Sequence, residues 1–327
     1  MRRRSEVYLN LKTISLIGAA LVAAPFFVYG QVQPPAPPPA SDTGEAIFSS
    51  DTRLVPLNVT VTDKASHLVT NLPRSAFQVF ENGVLQQIKD FKGEDVPVSL
   101  GLVIDNSGSM REKRQGVESA ALALVRDSNK QDEVFIVNFN DEPYLDADFT
   151  SDIKEMERGL AKIDSRGGTA MRDAIQLSVE HLRDKSKRDK KVILVVTDGN
   201  DNASIVPLTA LVRAAQQDDV LVYAIGLLSE EEKKDAKSAK RALDLLVEST
   251  GGQAFYPKDV SEVEKIAHEV AHDIRNQYTI TYTPTNQLLD GSFRQIKVVV
   301  KSSGAVARTR QGYYATKDRQ TVRAKKP

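Results

Sequence analysis

The chain has 327 residues, 41% hydrophobic and 27% charged, with 44 Lys and Arg balanced by 44 Asp and Glu. These are globular values with room for about two domains, and the balanced charge carries no basic stripe of the kind that binds nucleic acid. Cysteine is absent, which excludes disulfides, thiolate zinc sites, cysteine nucleophiles and a cysteine-linked lipid anchor. Residues 1–30 begin with Arg2, Arg3, Arg4 and Lys12 and continue through an uncharged apolar stretch, 13–30. This is the pattern of a secretory signal peptide; an uncleaved N-terminal anchor is the competing reading. The expected location is accordingly outside the cytoplasm, secreted or periplasmic, or held at the membrane by residues 13–30 if they are retained. Residues 31–50 contain Pro34, Pro35, Pro37, Pro38 and Pro39 and read as an extended linker.

Residues 51–95 read as strands. The stretch 54–62 alternates and is β-branched, and Asn82-Gly83 between 77–80 and 85–91 is a hairpin signal. Residues 96–276 alternate strands (98–104, 133–139, 191–197, 220–226, 252–256) with helical patterns (111–127, 153–163, 170–183, 208–217, 239–249, 260–275). That alternation predicts an α/β fold with a doubly wound, mostly parallel sheet. Residues 277–316 return to strands, with 306–314 read as one, and 317–327 form a basic tail. The two strand-rich flanks supply together what a small β-sandwich needs, so the α/β domain is expected to be inserted into one composite sandwich flanking it.

The chemistry concentrates at Asp105-Asn106-Ser107-Gly108-Ser109, which follows the apolar run 98–104 and precedes a helical pattern. A loop in that position lies on the sheet edge where ligands bind in open α/β folds. One carboxylate alternates with two hydroxyls, an all-oxygen set suited to a hard cation. Two later loops offer similar groups: Thr169 after Gly167-Gly168, and Asp198 at the end of the run 192–197. Here the sequence resembles the von Willebrand factor type A domain family, whose metal-ion-dependent adhesion site is Asp-x-Ser-x-Ser followed by a Thr and then an Asp. The matching positions are Asp105, Ser107, Ser109, Thr169 and Asp198. The resemblance implies a Mg²⁺ ion (or Mn²⁺ or Ca²⁺). Ser107, Ser109 and Thr169 would coordinate it directly, and Asp105 and Asp198 directly or through waters. It also implies a protein partner that presents an Asp or Glu to the ion. From 51 to 314 the arrangement also resembles a bacterial group of secreted von Willebrand type A-related proteins, through Asn276-Gln277-Tyr278 and Gln311-Gly312-Tyr313-Tyr314. The expected function is an exported, metal-dependent protein-binding module, not an enzyme, without nucleic-acid contact and with membrane contact only through a retained N-terminal segment. An alternative is a structural part of an envelope assembly with a non-bridging ion.

His268-Glu269-Val270-Ala271-His272 also matches the His-Glu-x-x-His zinc-peptidase signature. At 100° per residue, however, Val263, Ile266, Ala267, Val270 and Ile274 form the apolar stripe and both histidines fall opposite it. The motif therefore reads as coincidence. Around the first loop, Asn106 and Met110 are expected at the rim, and Asn200, Asp201 and Asn202 are candidate partner contacts. Asp173 is expected to face its helix's own N-terminus.

Overall fold

In this computed structural model, the described residues are 53–93, 95–126, 129–161, 166–228 and 233–316. The expected export segment, the proline-rich linker and the basic tail lie outside them. Strand β1 (Val55–Thr62) turns Val55, Leu57, Val59 and Val61 inward by the two-residue period of a pleated strand. Strands β2 (Phe77–Glu81) and β3 (Val84–Gln86) form the hairpin signalled by Asn82-Gly83. Both of those residues have positive φ, 49° and 81°, as a tight turn matching the strand twist demands. Strand β4 (Ile88–Lys92) completes the first flank.

The α/β part follows. It runs β5 (Val98–Asp105), α1 (Arg114–Arg126), β6 (Glu133–Phe139), β7 (Pro143–Thr150), α2 (Ile153–Leu160), α3 (Met171–Lys185) and β8 (Lys190–Thr197). It continues through α4 (Leu208–Gln217), β9 (Val220–Gly226), α5 (Lys233–Thr250), β10 (Ala254–Phe255) and α6 (Val263–Arg275). The six-stranded sheet has the order β10-β9-β8-β5-β6-β7. All pairs are parallel except β6–β7. Strands β5, β6 and β9 are buried along their whole length, which is why their sequences read as continuous apolar runs rather than alternations. One face packs under α1, α2 and α6 through residues such as Leu102, Leu124, Met156 and Val270. The other packs under α3, α4 and α5 through Val103, Ile175, Leu211 and Leu243. Gly101 is required by packing: a Cβ there would meet the Phe135 ring at 2.4 Å.

The closing strands are β11 (Tyr278–Tyr282), β12 (Phe293–Val300), β13 (Val306–Arg308) and β14 (Gly312–Tyr314). They interleave with the first flank in two four-stranded sheets, β13-β1-β11-β4 and β14-β12-β2-β3, which share one core around Leu57, Val79, Ile280 and Tyr282. The fold is thus the expected doubly wound sheet flanked by a small sandwich of N- and C-terminal strands. The described residues belong to one compact unit.

Two local expectations are corrected, and one strand carried no signal in the sequence. The stretch 85–91 is not one hairpin arm: it breaks at Gln87, so that β3 pairs with β2 in one sheet and β4 with β11 in the other. The stretch 306–314 likewise divides into β13 and β14, in different sheets. Strand β7 has no apolar signature because it is the exposed antiparallel edge.

Candidate metal site on the carboxyl edge of the sheet

Strand order reverses at β5, with β6 on one side and β8 on the other, and the crevice beyond their carboxyl ends is where such sheets bind ligands. Asp105 is the last residue of β5, and Asp198 follows the last residue of β8. After Asp105 the chain turns through a 3₁₀ segment, Gly108–Glu112, before α1 begins. The second loop docks on the first through Gly108 N–H donating to the Gly167 carbonyl at 3.3 Å. Gly167 has φ +78°, and a Cβ there would lie 2.2 Å from Asp141 Oδ2. That backbone position needs glycine, and it brings Thr169 to the crevice.

Four of the sequence-predicted residues, Asp105, Ser107, Ser109 and Asp198, meet as one hydrogen-bonded cluster. Ser107 Oγ and Ser109 Oγ are 3.1 Å apart, and Ser109 Oγ donates to Asp198 Oδ1 at 2.8 Å. Asp105 lies beneath them: its Oδ1 accepts from Ser107 N–H at 2.8 Å and its Oδ2 from the Thr197 hydroxyl at 2.6 Å. The Thr169 hydroxyl lies against the Asp198-Gly199 turn, 3.7 Å from where a Gly199 Cβ would stand. Asp105, Ser107, Thr169 and Asp198 are all buried, and Ser109 alone is exposed, so the cluster opens to solvent on its side. Burial pushes the Asp105 carboxyl up to about 6; hydrogen bonds from Thr197 and Ser107 pull it back, and the Asp198 charge raises it.

The donor set fits an octahedral cation. Oxygens at right angles around Mg²⁺ at 2.0–2.1 Å lie about 2.9 Å apart, and the Ser107–Ser109 and Ser109–Asp198 separations are 3.1 and 2.8 Å. A cationic group also stands at the cluster: Lys113 Nζ donates to Asp198 Oδ2 at 2.5 Å. Among the described residues no three His, Cys, Asp or Glu side chains gather to hold a metal. A site here depends on the hydroxyls beside its two carboxylates.

The neighbouring loops correct four sequence expectations. Asn106 and Met110 are buried, not rim residues. Asp201 is turned inward, accepting from Arg172 N–H at 2.7 Å and from the Ser204 hydroxyl at 2.7 Å, whereas Asn202 is exposed, with its Oδ1 accepting from Thr169 N–H at 2.9 Å. Asp173 accepts from Ile205 and Val206 N–H at 2.9 and 2.8 Å, so it fixes the third loop rather than serving its own helix. Thr197, Lys113 and Asp141 were not singled out by the sequence. Asp141 Oδ1 accepts from Gly168 N–H at 2.7 Å and holds the second loop. On α6, His268, Glu269 and His272 are exposed, while Val263, Ile266, Ala267, Val270 and Ile274 are buried, as helical periodicity requires.

The fold and the loops define a doubly wound α/β domain with an oxygen-lined, cation-attracting crevice on its carboxyl edge. Residues 100–200 match the family model of the von Willebrand factor type A domain. No curated protein matches the sequence. Similar solved structures include a von Willebrand factor type A protein from Catenulispora acidiphila, with TM-score 0.48 and 13% identity, covering 84% of this chain and 76% of that one. Proximal thread matrix protein 1 from the mussel byssus, with a zinc-occupied metal-ion-dependent adhesion site, aligns with TM-score 0.47 and 16% identity over 58% of this chain and 48% of its own. The von Willebrand factor domain of the type V pili tip protein Mfa5 from Porphyromonas gingivalis gives TM-score 0.45 and 14% identity, covering 55% and 97%.

Proposed function

We propose that this chain is a metal-dependent protein-binding module. A divalent cation held by Ser107, Ser109 and Thr169, with Asp105 and Asp198 direct or through water, bridges to an Asp or Glu of a partner. The observation that carries this reading is the Ser107–Ser109–Asp198 oxygen row at the spacing of an octahedral coordination edge. Two carboxylates at most balance a divalent ion held here, and Lys113 beside Asp198 leaves the loaded site with one net positive charge. The exposed Ser109 side of the cluster gives a partner carboxylate access to that charge. The chain's own groups then do the rest: Asp105 and Thr197 fix the loop, and Asn202 and Asp141 fix the backbone around Thr169. We place the module outside the cytoplasm on the basic–apolar pattern of residues 1–30. Among the described residues no helix is long and apolar enough to cross a membrane.

A second reading is favoured by the Lys113–Asp198 pair: a site neutralised by its own lysine serves as scaffold without an ion. Thermal unfolding separates the two. In chelator, then with Mg²⁺ or Mn²⁺ at a hundred times the dissociation constant, the protein should gain about 2.7 kcal/mol. Asp198→Ala should lose that gain while still folding, because Lys113, 31% exposed, is free to turn to solvent. An equal response in both proteins contradicts the site, and no response in the intact protein supports the scaffold.

A further inference from the structure

Lys113 caps the 3₁₀ segment, its N–H donating to the Met110 carbonyl at 3.0 Å, and stands one residue before α1. From there its side chain runs back to the crevice, where Nζ lies 2.5 Å from Asp198 Oδ2 and 3.5 Å from the Leu227 carbonyl. Asp198 is thereby divided. Its Oδ1 joins the serine hydroxyls, its Oδ2 faces the ammonium, and its side chain is only 1% exposed. An ammonium on such a carboxylate is a tethered cation that a divalent ion must displace or tolerate.

The charges make the consequence definite. Asp105 and Asp198, when ionised, balance a divalent ion; with Lys113 still at Asp198 the loaded site carries one net positive charge. Opposite effects follow on two ligands. The lysine repels the incoming ion across a few ångströms of poorly solvated space, and it attracts any anion that approaches the loaded site. We propose that Lys113 is a built-in counter-cation that weakens capture of the ion alone and couples ion binding to arrival of a partner carboxylate. This rests on the function proposed above and adds its regulation: the site is tuned to fill when ion and anionic partner come together, which is positive linkage between two ligands.

The test is calorimetric titration of the full chain with Mn²⁺ alone, then with Mn²⁺ in sodium acetate as a carboxylate probe, for the wild type, Lys113→Met and Lys113→Arg. Lys113→Met is expected to bind Mn²⁺ alone at least about tenfold more tightly than wild type, since one full charge at this distance is worth on the order of a factor of ten or more. Lys113→Arg, which keeps the charge, should stay within about threefold of wild type. Acetate should strengthen Mn²⁺ binding in wild type and Lys113→Arg by a larger factor than in Lys113→Met. Equal Mn²⁺ affinity in wild type and Lys113→Met overturns the counter-cation while leaving the metal site standing. Absence of Mn²⁺ binding in all three overturns the metal reading and this inference with it.

Discussion

Asp105→Asn should make the metal-free protein more stable at pH 7 and abolish its response to Mg²⁺ or Mn²⁺. Asp105 is 2% exposed, and burial raises its carboxyl from 3.8 to about 6. A carboxyl raised in this way binds its proton more tightly when folded than when unfolded. Its favourable contribution is fully present below about pH 4 and is lost as pH rises through about 6. At pH 7 the ionised group therefore costs stability, on the order of 2–3 kcal/mol. Asparagine keeps the oxygen that accepts from Ser107 N–H and offers an amide to Thr197 in place of the carboxylate oxygen. Urea unfolding in chelator should show the variant about 2 kcal/mol more stable at pH 7, with the difference closing toward pH 4. A variant less stable than wild type at pH 7 would mean that the carboxylate is needed for the fold rather than held for a cation. The expected gain would mark Asp105 as a site at which stability is given up for binding, a trade expected of functional residues.

Asp273→Ala should be the most damaging single substitution at the junction of the two lobes. Asp273 on α6 is 5% exposed. Its Oδ1 accepts from the Thr60 hydroxyl of β1 at 2.8 Å; its Oδ2 accepts from the Tyr223 hydroxyl of β9 at 2.9 Å and from Arg308 of β13. Gln277 Nε2 donates to both Thr60 and Tyr223, at 3.0 and 3.1 Å, and closes the network. One carboxylate therefore ties two sandwich strands to the α/β sheet and its last helix. Removing it takes this acceptor from two buried hydroxyls and from Arg308, which is 27% exposed and keeps its bonds to Gln253 and Thr60, so the loss is expected at about 2–3 kcal/mol. Chemical denaturation should show that loss, with both lobes melting earlier. A loss below about 1 kcal/mol would mean that water replaces the carboxylate and that the junction does not depend on it.

How far the sequence could be read follows from the physics of each element. Strands buried on both faces announce themselves as apolar runs, so β5, β6, β8 and β9 were legible almost to the residue. The stripe on α6 was legible because 3.6-residue periodicity sorts Val270 from His268 without knowing the neighbours. Strand β7 was not, because a polar edge strand carrying Asp146 and Asp148 lacks both signatures. The divisions at Gln87 and at 309–311 were hidden because a two-residue period tells inside from outside but not which of two sheets a strand joins. At the site, the resemblance of Asp-x-Ser-x-Ser and the later Thr and Asp to an adhesion-site motif singled out Asp105, Ser107, Ser109, Thr169 and Asp198, and Ser107, Ser109 and Asp198 form one hydrogen-bonded row above Asp105. Lys113 was not legible: within Arg111-Glu112-Lys113-Arg114 it reads as one more solvated charge at a helix start. Only the 3₁₀ turn, which aims it back at Asp198, makes it part of the crevice. Asp273 escaped attention for the opposite reason, since it adjoins His272, whose motif points to the wrong face of the same helix.

Anomalous diffraction from crystals grown with Mn²⁺ would show directly whether a divalent ion sits among these oxygens. One strong manganese peak is expected within coordination distance of Ser107 Oγ, Ser109 Oγ and either Thr169 Oγ1 or Asp198, with further positions filled by water or by an acidic side chain from a neighbouring molecule. A crevice without a peak, with Lys113 still closed on Asp198 at saturating Mn²⁺, would contradict a metal site here, as would a peak found only at His268 and His272.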